Sequence, residues 1–133
     1  MIVVDTSAIF AFLAAEPDAE LLALHMTQEP ALVSAPTWTE TGIVVSNKLG
    51  ADGMARLKAL AEALEFEIVA LDRGLAEAAV IAHRRFGRGT GHRASLNMGD
   101  CFSYALAKTR NLPLLFKGDD FIHTDLQPAS KPA

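Results

Sequence analysis

Short apolar segments alternate with helical segments along this chain of 133 residues, and that alternation limits the fold more than any other feature. Four segments are short and mainly apolar, as strands buried within a sheet are: 2–4, 31–35, 66–71 and 112–116. The segments between them carry apolar residues at helical spacing. Strands that alternate with helices form βαβ units. We therefore expect an α/β fold, a central parallel β-sheet flanked by helices on both faces.

Breaks in the pattern give the expected limits of the helices and of the domain. A helix from Thr37 should stop at Gly50, and a second should begin at Asp52. A further helix is expected over 72–86 and another from Asp100, with a glycine-containing loop over 87–91 between them. We place one domain at residues 1–126 and expect residues 127–133, which include two prolines, to be a disordered tail.

Composition excludes several classes of protein. Half of the residues are hydrophobic and 21% are charged, which suits a domain with a buried core. The net charge of −4 argues against a protein that coats nucleic acid nonspecifically, although a local basic patch remains compatible with it. The single cysteine, Cys101, excludes an internal disulfide, and the start of the chain lacks the basic region of a signal peptide. A cytoplasmic protein without a membrane segment is expected.

Acidic residues occur where the predicted elements begin and end. Asp5 follows the first strand and Asp119 follows the last, while Glu40 and Asp100 lie near the starts of helices. Ligand sites of parallel α/β sheets lie outside the carboxyl ends of the strands. These four acids are therefore expected to meet at one edge of the sheet.

A cluster of carboxylates without histidine or cysteine favours Mg²⁺ or Mn²⁺ over zinc, and it suits metal-assisted hydrolysis of a phosphodiester. Each acid also has a local structural explanation. Asp5 can cap a helix, Glu40 can complete a capping box with Thr37, and Asp100 can interact with a helix dipole. Asp119 and its neighbour Asp120 are common turn residues. The joint placement favours the metal site over these separate explanations.

Four segments together resemble the PIN-domain ribonucleases, and among them the VapC toxins of bacterial type II toxin–antitoxin modules. They are Val-Val-Asp-Thr-Ser-Ala at 3–8, Glu40, the block Asn-Met-Gly-Asp-Cys-Phe-Ser-Tyr-Ala-Leu-Ala-Lys at 97–108, and Leu-Leu-Phe-Lys-Gly-Asp-Asp-Phe at 114–121. The block at 97–108 is the most specific of them. The motifs occur in the family's order and extend over nearly the whole chain.

The resemblance implies a Mg²⁺-dependent endoribonuclease, with Mn²⁺ able to substitute, that leaves a 5′-phosphate and a 3′-hydroxyl. Asp5 and Asp100 match the principal metal ligands of the family and Glu40 matches its third acid. For the fourth acid, many relatives have Asp-x-Asp-Phe, where this chain has Gly118 in place of the first Asp. Asp119 is preferred here as the fourth catalytic and metal-binding acid, with Asp120 as the alternative.

The resemblance also implies supporting residues and partners. Thr6 or Ser7 matches a hydroxyl position that assists at the site, and Asn97 is a further supporting candidate. The implied partners are an RNA substrate, a cognate VapB-type antitoxin and a second copy of the chain in a homodimer.

A basic segment precedes Asp100. Residues 78–99 contain no acid, and the arginines within them could hold RNA phosphates beside the metal: Arg84, Arg85, Arg88 and Arg93. The alternative is an ordinary solvated helix end, whose dipole favours Arg84 and Arg85.

Three other classes of protein share some of these features. A receiver domain requires an acidic pair after the first strand, where this chain has only Asp5. A haloacid-dehalogenase-like phosphatase requires an Asp at position 7, which is Ser. A catalytically inactive PIN-like module that binds RNA or protein remains the alternative function.

Overall fold

A computed structural model describes residues 1–129 of the chain. Its four strands form one parallel sheet in the order β3-β2-β1-β4. The strands are β1 (Ile2–Val4), β2 (Ala31–Ser34), β3 (Glu67–Val69) and β4 (Leu114–Leu115). Each lies within or at the start of an expected strand segment, so the parallel α/β sheet is confirmed.

Five α-helices connect the strands: α1 (Thr6–Leu13), α2 (Ala19–Gln28), α3 (Ala35–Ala63), α4 (Arg73–Phe86) and α5 (Met98–Arg110). A short 3₁₀ helix, Phe121–His123, follows β4. The expected break at Gly50 occurs inside α3, where this residue has φ 66° and ψ −159°. Glycine adopts a positive φ without the steric cost that a side chain brings, so the helix axis can change direction there.

The sheet has a hydrophobic core on each face, because neighbouring residues of a strand point to opposite sides. Val3 and Leu114 pack in the core formed with α4 and α5. Val4 and Leu115 pack in the core formed with α1, α2 and α3. Helices on both faces are thereby confirmed.

The segment after Leu126 differs from the expectation of a disordered tail. Leu114 donates its backbone N–H to Gln127, and Ala129 donates to Leu114, so residues 127–129 run beside β4. β4 lies at an edge of the sheet, so one side of its backbone is available for pairing. Pro128 lacks an N–H group, but the hydrogen bonds use its neighbours Gln127 and Ala129. Residues 130–133 of the expected tail lie outside the described residues.

The order of the strands also fixes where a site can form. The chain moves outward from β1 to β2 and β3 and then returns to the other side of β1 as β4. The crevice between β1 and β4 is therefore a switch point, the place where parallel α/β sheets bind ligands at the carboxyl ends of their strands. Asp5 follows β1 directly at this crevice.

Candidate active site

Asp5 is a buried carboxylate held by three donors. It caps the start of α1, where its Oδ2 accepts hydrogen bonds from the backbone N–H of Ser7 at 3.0 Å and from the Ser7 hydroxyl at 2.7 Å. Its Oδ1 accepts a bond of 2.6 Å from the hydroxyl of Ser103 in α5. The side chain is only 3% exposed. The helix-cap interpretation of Asp5 is therefore confirmed, and this capping residue of α1 also lies at the switch point of the sheet.

Glu40 reaches the same place from α3. Its Oε1 lies 2.7 Å from the Thr6 hydroxyl, which also lies 2.8 Å from the hydroxyl of Thr41. The capping box of Thr37 with Glu40 is wrong, because α3 begins two residues before Thr37 and Ser34 is its N-cap. The Thr37 hydroxyl instead contacts Ser103 at 3.1 Å.

Gly99 leaves room for the Glu40 carboxylate. A Cβ atom on Gly99 would lie 2.2 Å from Oε2 of Glu40, far closer than such atoms approach. The absence of a side chain at position 99 therefore brings the carboxylate of α3 against the first turn of α5. The next residue, Asp100, belongs to that turn.

Asp100 and Asn97 form a reciprocal capping box at the start of α5. The Asn97 side chain accepts from the Asp100 N–H at 2.8 Å, and Oδ2 of Asp100 accepts from the Asn97 N–H at 3.0 Å. The helix starts at Met98, two residues before the expected start, because Asn97 is its N-cap. Asn97 therefore fixes the backbone and the side chain of Asp100.

The two acids of the turn after β4 differ in their effect on Asp100. Both Asp119 and Asp120 are exposed. The charge of Asp120 contributes to the raised pKa of Asp100, whereas that of Asp119 does not. This electrostatic link is an argument for Asp120, the alternative fourth acid, whereas the motif register is the argument for Asp119.

Two carboxyl groups of the cluster, those of Asp100 and Glu40, have a raised pKa. The pKa of Asp100 is raised to about 7: burial is the largest cause, the charges of Asp5, Asp120 and Glu40 add to it, and a hydrogen bond from the Asn97 backbone partly opposes it. Burial also raises the pKa of Glu40, with a contribution from Asp5. Every charge that shifts these two groups is another carboxylate. The cluster therefore lacks an internal counter-charge, which a bound cation would supply.

The donor set fits a hard divalent cation. It consists of carboxylate oxygens and hydroxyls, which Mg²⁺ and Mn²⁺ prefer. Within residues 1–129, however, no three acidic, histidine or cysteine side chains are placed closely enough to surround an ion in their present rotamers. Several carboxylate oxygens are instead directed to hydroxyls and backbone N–H groups. The residues therefore fit the ion by the chemistry of their donor atoms, while their present side-chain positions do not form a coordination shell.

Sequence reasoning missed the buried hydroxyls around these acids. Ser103 and Thr37 are fully buried, and so is Thr41, whose hydroxyl donates to the Thr37 carbonyl at 2.8 Å. A signal was present, since Ser103 is one helical turn beyond Asp100 and interrupts an otherwise apolar face of α5. A polar side chain at such a position needs a buried partner, which here is Asp5.

The four arginines of the basic segment have different surroundings in the structure. Arg85 lies over the Phe86 ring and 3.7 Å from Asp125, whereas Arg84 lines a cavity of about 380 Å³ with Met98 and Phe102 at the start of α5. The loop after α4 is hydrogen-bonded rather than open: Arg88 N–H donates to the Leu96 carbonyl at 2.8 Å. The side chains of Arg84, Arg88 and Arg93 are exposed.

Comparison with known proteins shows the family to which the chain belongs. Residues 2–126 match the family model of the PIN domain. The chain is 46% identical over 125 residues to a protein of Mycolicibacterium smegmatis named Ribonuclease VapC, with 93% of this chain and 96% of that protein covered. It is 42% identical over 131 residues to Ribonuclease VapC30 of Mycobacterium tuberculosis, covering 98% and 99%.

Solved structures share the fold. VapC20 of Mycobacterium tuberculosis, a toxin that cleaves the sarcin–ricin loop, superposes with a TM-score of 0.74 at 17% identity, covering 99% of this chain and 100% of that one. VapBC2 of Rickettsia felis, bound to a promoter DNA fragment, gives 0.74 at 16% identity and 96% coverage of each chain. The chain belongs to the PIN-domain family and, within it, to the VapC ribonucleases. It is an endoribonuclease of the toxin class.

Proposed function

We propose that this chain hydrolyses RNA phosphodiester bonds with Mg²⁺, or Mn²⁺ in its place, held by Asp5, Glu40, Asp100 and Asp120. One observation carries the proposal: at the switch point of the sheet, burial and the charges of Asp5, Asp120 and Glu40 raise the pKa of Asp100, and no cation is among the causes. Such an arrangement is costly unless an ion or substrate interaction offsets the repulsion.

The reaction is a hydrolysis in which a water oxygen attacks phosphorus and the ribose 3′ oxygen leaves. The products have a 5′-phosphate and a 3′-hydroxyl, as in the family. When bound, a divalent cation lowers the pKa of water and offsets charge on the phosphate. The chain's own contribution is to fix the ligands, and the hydroxyls of Ser7, Ser103 and Thr6 orient Asp5 and Glu40.

The exposed arginines supply the second part of the proposal, which is RNA binding. Arg84, Arg88 and Arg93 stand on α4 or on the loop that leads into the first turn of α5. The guanidinium group pairs with phosphate through two parallel hydrogen bonds. Arg85 is a weaker candidate, because it already interacts with Asp125 and Phe86.

We also propose the partners that the relatives suggest. A cognate VapB-type antitoxin would neutralise the enzyme in the cytoplasm, and the chain would form a homodimer. Exposed apolar side chains offer surfaces for protein contacts. They include Leu21 and Leu24 of α2, and Val80 and Met98 beside the cavity of α4 and α5. No helix in residues 1–129 is long and apolar enough to cross a membrane.

The test uses the full chain purified free of any antitoxin and incubated with labelled total RNA. Cleavage is expected with Mg²⁺ or Mn²⁺, none is expected with EDTA, and sequencing of the cut ends identifies the target. Asp120→Asn and Asp119→Asn form a matched pair, of which the first should lose most activity. Equal losses would contradict the assignment of Asp120. A folded, inhibitor-free protein that cleaves nothing would favour the inactive binding module.

A further inference from the structure

The acceptor positions of Asp5 are unequally used. A carboxylate oxygen has two lone-pair positions. Oδ2 uses both, for the backbone N–H and the hydroxyl of Ser7. Oδ1 accepts one hydrogen bond, from Ser103. Oδ1 therefore retains a free position, and Ser103 is the group that fixes its direction.

Ser103 is itself oriented by Thr37. The Ser103 hydroxyl has one hydrogen, and the contact of 2.6 Å with a carboxylate assigns that hydrogen to Asp5. The contact of 3.1 Å between the hydroxyls of Ser103 and Thr37 must then use the hydrogen of Thr37. Both side chains are 0% exposed, so water cannot replace either donor. The three residues form a one-way chain of donors from α3 through α5 to the end of β1.

We propose that Ser103, supported by Thr37, is a positioning residue that holds Oδ1 of Asp5 in the orientation in which it binds the divalent cation. The inference rests on the proposed metal-dependent function. Removal of a side chain that is hydrogen-bonded to a metal ligand typically weakens metal binding about 10- to 100-fold. The distances and the complete burial here place Ser103 in that role for Asp5.

The experiment measures Mn²⁺ binding to the full chain by calorimetry, without RNA. Ser103→Ala should weaken binding about 10-fold or more. Thr37→Val, which keeps the shape of the side chain and removes only the second donor, should weaken it less. Ser34→Ala is the matched control, since Ser34 is 2% exposed and makes no capping hydrogen bond. It should bind Mn²⁺ as the wild type does.

A second readout separates positioning from a merely structural role. The Mn²⁺ concentration for half-maximal RNA cleavage should rise in Ser103→Ala, and saturating Mn²⁺ should restore most of the rate. Asp5→Asn should not recover at any Mn²⁺ concentration. If Ser103→Ala does not fold, Thr37→Val tests the same chain of donors.

The outcomes distinguish the two proposals. Wild-type affinity in both Ser103→Ala and Thr37→Val, with binding lost in Asp5→Asn, would overturn the positioning role and leave the metal site intact. A wild type that binds no Mn²⁺ would overturn the metal site itself. A rate loss in Ser103→Ala that Mn²⁺ does not restore, with unchanged Mn²⁺ affinity, would also overturn the positioning role.

Discussion

Helix α5 contributes to two clusters of charged side chains, in which a carboxyl group has its pKa shifted in opposite directions. At its first turn, Asp100 meets other carboxylates, and burial together with their charges raises its pKa to about 7. Further along the helix, Tyr104 and Lys108 donate hydrogen bonds to Asp125, and Arg85 lies near it. Burial raises the pKa of Asp125, but these donors and cations outweigh it, and the net shift is downward.

The difference separates a cluster whose charges are balanced within the protein from one whose charges are not. Asp125 has its donors and counter-charges within the protein, and the cluster joins the segment after β4 to α4 and α5. Asp100 has one hydrogen bond and several like charges, so its local interactions leave the cluster in need of a cation. A carboxylate that is repelled by its neighbours and has no counter-charge in the protein indicates a functional site better than a carboxylate paired with cations does.

The largest expected effect is on cleavage. Asp5→Asn and Asp100→Asn should each lower the rate of RNA hydrolysis roughly 1,000-fold, since loss of several kcal/mol of metal-dependent stabilisation corresponds to that factor. Asp125→Asn should retain nearly the wild-type rate. Single-turnover cleavage assays at saturating Mg²⁺ measure all three. A loss in Asp125→Asn comparable to that in Asp100→Asn would remove the distinction between the clusters.

A matched pair of glycines tests the close approach of Glu40 to α5. Gly99 and Gly74 are both the second residue of a helix. A Cβ atom on Gly99 would collide with Oε2 of Glu40 at 2.2 Å, whereas one on Gly74 would lie 3.5 Å from Oδ1 of Asp72, which is an ordinary contact. Gly99→Ala should displace Glu40 and lower cleavage roughly 10- to 100-fold, the range for a disturbed ligand support. Gly74→Ala should keep full activity and stabilise the fold by about 0.5–1 kcal/mol. Cleavage assays and thermal unfolding check both.

The pH dependence of stability should change in opposite directions for the two clusters. In metal-free protein, folded Asp100 keeps its proton up to about pH 7, whereas the unfolded chain loses it near 3.8. The folded state then holds more protons in this range, so stability falls as the pH rises through it. For Asp125, whose folded pKa is lowered, stability is present above the ordinary value and is lost as the pH falls.

At pH 8 without metal, Asp100→Asn should therefore raise Tm, and Asp125→Asn should lower it. Thermal unfolding between pH 4 and pH 8, each with EDTA, measures both. Added Mg²⁺ should raise the Tm of the wild type and reduce the advantage of Asp100→Asn. A fall in Tm for Asp100→Asn at pH 8 would mean that the capping box outweighs the repulsion among the acids.

The smallest effects are expected from the arginines. In an Asp5→Asn background, Arg84→Ala, Arg88→Ala and Arg93→Ala should each weaken RNA binding several-fold. Each should also reduce the slope of log affinity against log salt by about 0.7, the value for one phosphate contact on a single strand. Arg110→Ala is the control, because it lies ten residues beyond Asp100 on α5, about 15 Å along the helix. Equal losses at all four positions would indicate nonspecific attraction only.

Much of the fold was predictable because its signals are local. The apolar runs that became β1 and β2, the break at Gly50 and the loop after Phe86 each depend on residues that are neighbours in sequence. The pairing of residues 127–129 was not predictable, because their backbone bonds to Leu114, which is distant in sequence. Composition alone, with its prolines, favoured a disordered tail there. The exposed β3 also differs from a buried strand, because it lies at an edge of the sheet.

The candidate site divides in the same way. Asp5, Glu40 and Asp100 could be proposed from sequence because elements of a parallel sheet present their ends at one edge, whatever the side chains between them. The preference between Asp119 and Asp120 could not be settled from register. It depends on where the turn at Gly118, with φ 106°, places the two carboxylates relative to Asp100.

The sequence by itself determined the order of strands and helices, the PIN-like class and the acids that define it, because periodicity and motif spacing are properties of the chain. The tertiary structure alone decided which hydroxyls hold those acids, that Gly99 admits Glu40, and that Arg85 is committed to Asp125. Each of these contacts joins residues far apart in sequence. Their energies depend on the distances between the groups and on how deeply each group is buried, and no local sequence pattern specifies either quantity.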